Sequence, residues 1–394
     1  MERLLKLSEQ KLKNQKSNFQ RYLYASIDWN SKLIIMTGAR GAGKTTLLLQ
    51  KMKNDTHKAI YLSLDDLYFE TNRLLLLLEQ LYDEGYRHFY LDEVHQYQYW
   101  STDIKNAYDN YSDIQLIATG SSVLKINQGQ ADLSRRAAVY ALKGLSFREF
   151  LELHYREKFE KFSLKQILEN HTNISAQIND KLDTLKLFAE YLNYGYYPFS
   201  IERKKDYHQK LQQTIQLILE VDIPAVEQVN YSTIRSMKNL LFIISQIVPM
   251  IPNIQSLSEK TGVSRNSILK ALDLMANAQI INLLRSSNKG VSFLQKPEKI
   301  FLENPNLAFT FSGAKPNIGN LRETFFFNQL SIHHDVTSAK FGDFFVDGLY
   351  TFEIGGADKT DKQIQGVPLA YIAADEIKSG ANNKIPLWLF GFLY

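Results

Sequence analysis

Apolar residues fall along this chain in two rhythms, and the change from one to the other divides it. In the first 155 positions, five short apolar runs rich in β-branched and aromatic residues stand at 33–37, 58–63, 87–91, 114–119 and 137–142, separated by helix-length stretches. Runs apolar at nearly every position predict strands buried on both faces, and hence a parallel sheet between layers of helices. Functional residues in such a sheet gather at the carboxyl ends of the strands. From 156 to 237 the spacing becomes helical, as in Leu211-Gln-Gln-Thr-Ile-Gln-Leu-Ile-Leu219. Within 238–290, Leu240 to Pro252 reads as a helix ending at proline. Ile254–Thr261 and Arg265–Met275 read as two helices around a Gly262-Val-Ser264 turn, with Ser264 as cap. Gln279–Leu284 and a turn at Lys289-Gly290 add a wing to that helix-turn-helix. The remaining 291–394 contains Arg322-Glu-Thr-Phe-Phe-Phe327, Gly342-Asp343-Phe-Phe-Val346 and Tyr350-Thr-Phe-Glu353-Ile354.

The chemistry begins where the first strand ends. Gly38-x-x-x-x-Gly43-Lys44-Thr45 opens a helical stretch, and a nucleotide-phosphate cradle needs this combination. Glycine lets backbone approach phosphate oxygens or take positive φ, and the free N–H groups of a helix start face the anion. Gly38, Ala39, Arg40, Gly41, Ala42, Gly43, Lys44, Thr45 and Thr46 form this cradle, a P-loop. Lys44 is expected on the β- and γ-phosphates and the Thr45 hydroxyl on Mg²⁺. A chance glycine-rich turn would not share the preceding strand, the full spacing and the hydroxyl after lysine. The third strand ends in Asp92-Glu93. After a P-loop, Asp92 is the expected Mg²⁺ ligand and Glu93 the general base for water; alone, the pair reads equally as solvated charge.

Two later segments extend the site. Ser121 and Ser122 close the fourth strand, where a hydroxyl can orient water or touch the γ-phosphate, or simply cap the next turn. Arg135-Arg136 precede the fifth strand. Arg136 either neutralises transition-state charge, in its own subunit or a neighbour's, or belongs to a surface pair. Asp65 and Asp66 read as helix caps. No Asn/Thr-Lys-x-Asp guanine-reading segment occurs, which favours ATP over GTP, and 156–237 is then expected to be the lid over the nucleotide.

The motif order resembles the bacterial and archaeal AAA-type ATPases whose ATPase module is followed by a winged helix and a PD-(D/E)xK nuclease-like domain. The resemblance runs from about Leu33 to Tyr394. It rests on the P-loop, Leu91-Asp-Glu-Val94, Ala118-Thr-Gly-Ser-Ser122, Leu145-Ser-Phe-Arg-Glu-Phe150, Tyr194-Gly-Tyr-Tyr-Pro198 and Pro386-Leu-Trp-Leu-Phe-Gly-Phe-Leu-Tyr394. By that alignment Arg136 is the group's arginine and Arg135 replaces a glycine. The resemblance implies a P-loop core over 1–155, a helical lid over 156–237, a winged helix over 238–290 and a degenerate nuclease-like domain over 291–394. Glu323, Asp343 and Glu353 match the nuclease acids that bind Mg²⁺, but Gly355 stands where the lysine belongs, with Lys359 and Lys362 as substitutes from the next loop. A silent domain is therefore expected. In a DNA-reading winged helix, Arg265, Asn266 and Lys270 would face the major groove; such domains also serve as protein-docking spacers.

Composition constrains this reading only at the margins. At 394 residues the chain exceeds a single core. The net charge of +4 permits nucleic-acid contact without requiring it, and the absence of cysteine excludes disulfides, iron–sulfur clusters and cysteine-bound zinc. The charged, amphipathic start, Met1-Glu-Arg-Leu-Leu-Lys, is no signal peptide, and the Leu74–Leu78 run is too short to span a bilayer, so a soluble cytoplasmic protein without membrane partners is expected. The expectation as a whole is a Mg²⁺-dependent ATP-hydrolysing switch whose C-terminal half recognises DNA or a protein, with a homo-oligomer as a candidate state. The competing classes are an ATP-gated scaffold with negligible turnover and an ATP-coupled nuclease.

Overall fold

A computed structural model of the chain describes residues 1–16, 18–122, 133, 135–202, 204–227, 229, 231–285, 296–311 and 316–394. They form two compact units: Met1–Lys143 with Glu220–Gln228, and Gly144–Leu219 with Val229–Tyr394.

The first unit follows the predicted alternation: α1 (Glu2–Asn14), β1 (Leu33–Gly38), α2 (Lys44–Lys53), β2 (Ala59–Ser63), α3 (Tyr68–Thr71), α4 (Leu74–Asp83), β3 (His88–Asp92), α5 (Trp100–Asn110), β4 (Gln115–Ser121) and β5 (Ala138–Leu142). The five strands are parallel in the order β2-β3-β4-β1-β5. Every position of β1 and β4, central in the sheet, is buried, as a strand covered on both faces must be; β5, at the edge, alternates. Helix and strand side chains such as Leu33, Ile35, Leu62, Leu77, Leu91, Ile104 and Leu116 share one core. The register pairs Gly38 with both Ser121 and Leu142, which brings three strand ends together. The residue at the cap of α3 is Leu67, not Asp65 or Asp66; Asp66 accepts the Tyr68 N–H at 2.9 Å from one position earlier.

The second unit holds α6 (Phe147–Tyr155), α7 (Leu164–Asn179), α8 (Thr184–Tyr194) and α9 (Tyr207–Leu217). Ser146 starts α6 with a reciprocal cap: its hydroxyl accepts from Glu149 N–H and Glu149 accepts from Ser146 N–H. After α9 a short π-helix, Ile218–Asp222, and a short α10 (Ile223–Val226) carry the chain through the 220–228 stretch of the first unit. The second unit resumes with α11 (Tyr231–Ile247), α12 (Ile254–Thr261), α13 (Arg265–Asn277), β6 (Ile281–Leu284), β7 (Lys299–Leu302), α14 (Pro305–Phe311), α15 (Ile318–Leu330), β8 (Val336–Ser338), β9 (Phe344–Val346), β10 (Tyr350–Gly355), β11 (Ala370–Ala374) and β12 (Lys384–Pro386).

Helix α11 begins and ends earlier than the expected Leu240–Pro252, because Pro249, not Pro252, sets its end: the residue before a proline is driven out of the helical region. The turn after α12 uses Gly262 at φ +67°, and the Ser264 hydroxyl caps α13 by accepting Ser267 N–H at 3.2 Å. Strands β6 and β7 pair antiparallel; the expected turn at Lys289-Gly290 lies outside the described residues. The final sheet has order β12-β11-β10-β9-β8, with β10, β11 and β12 parallel and β8–β10 antiparallel.

The division between the units falls elsewhere than the expected boundaries at 155, 237 and 290. The reason is packing: Phe147 and Phe150 of α6, Ile167 of α7, and Phe188 and Tyr191 of α8 share a core with Phe325, Trp388 and Phe392. Most of the stretch read as a lid is thus built into the second unit. Asn306 holds its interior polar groups: Oδ1 accepts Tyr196 N–H at 2.8 Å, and Nδ2 donates to the carbonyls of Tyr191 and Leu192 at 3.0 and 2.7 Å. Among the described residues, no helix is long and apolar enough to cross a membrane.

Candidate active site

The loop between β1 and α2 is shaped by backbone conformations that only glycine adopts readily. Gly41 and Gly43 have φ of +83° and +98°, and a Cβ on Gly38 would stand 2.3 Å from the Leu142 carbonyl oxygen of β5. The buried Lys44 curls back over this loop, its Nζ donating to the carbonyls of Gly38 (2.9 Å) and Ala39 (3.2 Å). From below, the buried guanidinium of Arg21 donates to the Ala42 carbonyl and, at 2.7 Å, to that of Lys143. Ala39 and Ala42 are buried, whereas Gly41 and Thr46 are exposed.

Asp92 is the electrostatic centre of the strand ends. It is 2% exposed, and its carboxylate accepts from the hydroxyls of Thr45 (2.7 Å), Tyr61 (2.8 Å) and Thr119, and from Glu93 N–H (3.2 Å). Burial, reinforced by the charge of Asp92, pushes the Tyr61 phenol up, so that it remains a donor. Glu93 takes the left-handed conformation, φ +51°, unusual for a side chain with a Cβ and of the kind found where a fold dictates a side chain's aim.

Beyond Glu93 a second polar set closes round a fully buried imidazole. His95 Nδ1 accepts the Ser121 N–H at 3.3 Å and lies 3.4 Å from Glu93 Oε2. Its Nε2 lies 3.1 Å from the Gln96 amide nitrogen and 3.6 Å from Asp222 Oδ1. That carboxylate, 1% exposed, accepts from Arg40 Nη1 at 2.9 Å and Gln96 Nε2 at 3.4 Å. Asp222 thus links the phosphate loop to the acid end of β3.

Gly38 to Thr46, Asp92, Glu93 and Ser121 are therefore gathered at one edge of the sheet. Arg136 is not: it precedes β5 at the opposite, amino-terminal edge, where its Nε and Nη2 bind the Asp109 carboxylate at 2.9 and 3.1 Å. Parallel pairing puts the residue before a strand at the far edge from the residue after it, which removes Arg136 from the site of its own subunit. Tyr61, His95, Thr119, Arg21 and Asp222 were missed. Thr119 sits within the Ala118–Ser122 segment and was open to recognition, whereas Asp222 carries no local signal.

The residues fit a nucleoside triphosphate with Mg²⁺. The glycine conformations leave a backbone concavity, Thr45 and Asp92 offer adjacent oxygen ligands, and among the described residues the buried Ser122 hydroxyl has no hydrogen-bond partner.

In the second unit, Glu323 lies on α15, Asp343 just before β9 and Glu353 on β10. Asp343 Oδ2 accepts Ile354 N–H at 2.8 Å; Lys299 pairs with Glu323, and Lys359 with Glu353. Burial pushes both glutamates up against the pull of these lysines, and the Asp343 charge adds to it. Arg265, Asn266 and Lys270 are all exposed on α13.

Comparison with known families matches residues 30–151 to one described as an AAA domain, and residues 185–317 to one described as a domain of unknown function, DUF8612. The first span contains β1 to β5 and every residue of the site except Arg21 and Asp222, so this parallel sheet with its helices is of the P-loop AAA type. An uncharacterized protein of Methanocaldococcus jannaschii is 27% identical over 292 residues, 70% of this chain; the chain spans 61% of that relative's length. Among solved structures, Thermotoga maritima RuvB aligns with 73% of this chain and 90% of its own (12% identity, TM-score 0.31). The Aeropyrum pernix ORC1 protein in complex with DNA aligns with 77% and 92% (12%, 0.31), and AMPPCP-bound DnaA from Aquifex aeolicus with 69% and 87% (16%, 0.25).

Proposed function

We infer that this chain, with an AAA-type domain at 30–151, is a Mg²⁺-dependent ATP-hydrolysing switch whose C-terminal half recognises a partner. The loop N–H groups and Lys44 hold the phosphates, and Thr45 and Asp92 hold the metal. Glu93 accepts a proton from water, and Ser121 helps to place that water. Bound ATP supplies the phosphoanhydride whose cleavage resets the switch.

The observation that carries the switch reading is the pairing of Arg40 with Asp222. Asp222 stands in the 220–228 stretch, between α9 and α11 in sequence, both of which belong to the second unit. A triphosphate in the loop adds negative charge beside a buried carboxylate that holds a loop arginine. The pair is therefore sensitive to nucleotide, and any displacement of Asp222 is conveyed through the peptide chain to both helices. The partner we favour is duplex DNA, because α12, α13 and the β6–β7 hairpin have the order of a winged helix and leave Arg265, Asn266 and Lys270 exposed. The test is duplex binding by the full chain with ATP, with ADP and without nucleotide, across a salt series. Affinity that changes with nucleotide and falls with salt supports the reading; no binding at low salt in any state rules DNA out. A charge-neutralising role for Arg136 would belong to a neighbouring subunit's site. Mixing Arg136→Ala with Glu93→Gln protein would then restore some turnover.

One observation favours a second reading, a Mg²⁺-dependent nuclease. A Cβ on Gly355 would lie 2.5 Å from Lys359 Cγ, so Lys359 occupies the space of a side chain at 355 and brings its ammonium to Glu353. The lysine missing from the sequence motif is replaced in space by one four positions later. Plasmid cleavage abolished by Asp343→Ala supports this reading; no cleavage with Mg²⁺ or Mn²⁺ leaves the domain a scaffold.

A further inference from the structure

The sheet edge opposite the nucleotide site carries a cluster that the switch does not use. Asp55 and His57 lie in the connection from α2 to β2, and His88 is the first residue of β3. One ligand atom from each lies within 4.8 Å of the other two, and this is the one such group of three among the described residues. Both imidazoles turn to the same carboxylate: His88 Nδ1 is 2.7 Å from Asp55 Oδ2, and His57 Nδ1 is 3.4 Å from Asp55 Oδ1. Their rings lie side by side, tilted by 35°, with centroids 4.1 Å apart.

The geometry points to a divalent transition-metal site, of the zinc class, formed by Asp55, His57 and His88. Hydrogen bonding explains His88 but not His57, whose side chain is 58% exposed and whose 3.4 Å approach is long for a hydrogen bond. Two ligand atoms, each about 2.1 Å from a tetrahedral ion, stand about 3.4 Å apart, so that separation suits a shared metal. Two nitrogens and one oxygen select a borderline cation over Mg²⁺ or Ca²⁺. The carboxylate is also oriented from outside, as ligands in metal sites are: Tyr90 OH donates to Oδ2 at 2.6 Å. A recess of about 390 Å³, lined by these three and by Asn54, Thr56 and Asp113, gives water access to the remaining coordination positions.

An ion here ties the exit of α2 to the start of β3. These are the far ends of the two elements whose near ends carry Lys44 and Asp92, the latter four residues, or about 13 Å, along the strand. The site is independent of whether ATP is hydrolysed.

The test uses the tag-free full chain, stripped with chelator and titrated with Zn²⁺ in excess Mg²⁺, with Co²⁺ as an absorbing substitute. One equivalent should bind and raise the unfolding temperature. His57→Ala and His88→Ala should each weaken binding by more than the roughly 10- to 100-fold expected of an outer-shell change such as Tyr90→Phe. Asp92→Asn should bind Zn²⁺ like the native chain, which separates this site from the nucleotide site. Because His57 is exposed, His57→Ala keeps the fold, and equal metal-free unfolding verifies it. Absence of stoichiometric Zn²⁺ binding, unchanged binding in His57→Ala, or loss of binding in Asp92→Asn each overturns the assignment.

Discussion

Asp222 Oδ1 accepts a hydrogen bond from Arg40 Nη1 at 2.9 Å, joining two residues 182 positions apart. The carboxylate is buried and the guanidinium partly exposed, so the pair is maintained by the fold around Asp222 rather than by attraction through water. Replacing Asp222 with asparagine leaves every phosphate-binding group in place. We expect ATP binding within a few-fold of the native chain and a stability loss of about 1–3 kcal/mol. Limited proteolysis checks the coupling: protection of the second unit that changes with nucleotide in the native chain should be the same with and without nucleotide in Asp222→Asn. A variant retaining the native difference would remove Asp222 from the switch.

Lys44 is the cation placed to meet the triphosphate, and here it spans the loop carbonyls of Gly38 and Ala39. Lys44→Ala should weaken ATP binding by at least about 100-fold, roughly 3 kcal/mol, as measured by calorimetric titration. Micromolar affinity persisting in that variant would contradict the site.

Acid should unfold the second unit through its buried histidines. Burial, with the nearby Lys204 charge, lowers His154 to about 4, and burial likewise lowers His208 and His333. These rings stay neutral in the fold, while the unfolded chain takes up protons below about 6.5. Their contribution is therefore complete above pH 6.5 and is lost as pH falls toward 4. His154→Gln should flatten the fall in unfolding temperature over that window. An unchanged slope would show that His154 does not contribute.

The phosphate loop was legible because its chemistry is contiguous: Gly38 to Thr46 declare themselves by the preceding strand, the spacing and the hydroxyl after lysine, and Asp92 and Glu93 by closing an apolar strand downstream of such a loop. Strand positions were legible for the same reason, since a buried parallel strand is apolar throughout. Asp222 was not legible because a lone acid after Leu219-Glu-Val looks like any other acid on a helix; only the return of 220–228 to the first unit gives it meaning. That Arg136 lies away from its own subunit's site followed from its place before β5 once the sheet is parallel; its pairing with Asp109 required the fold. The lid expectation rested on helical spacing between 156 and 237, a pattern equally produced by helices packing on Phe325 and Trp388. Lys359 was visible as a candidate, but its place over Gly355 required the turn that folds it back.

The central claim is hydrolysis by Glu93 at this site, and phosphate release measures it directly. With Mg²⁺ and saturating ATP, native protein should release phosphate in single-turnover and steady-state experiments. Glu93→Gln should bind ATP equally and turn over about 10²- to 10⁴-fold more slowly, the span expected for losing a general base. Native turnover in Glu93→Gln, or no phosphate release by the native chain with or without DNA, would contradict it and leave an ATP-gated scaffold.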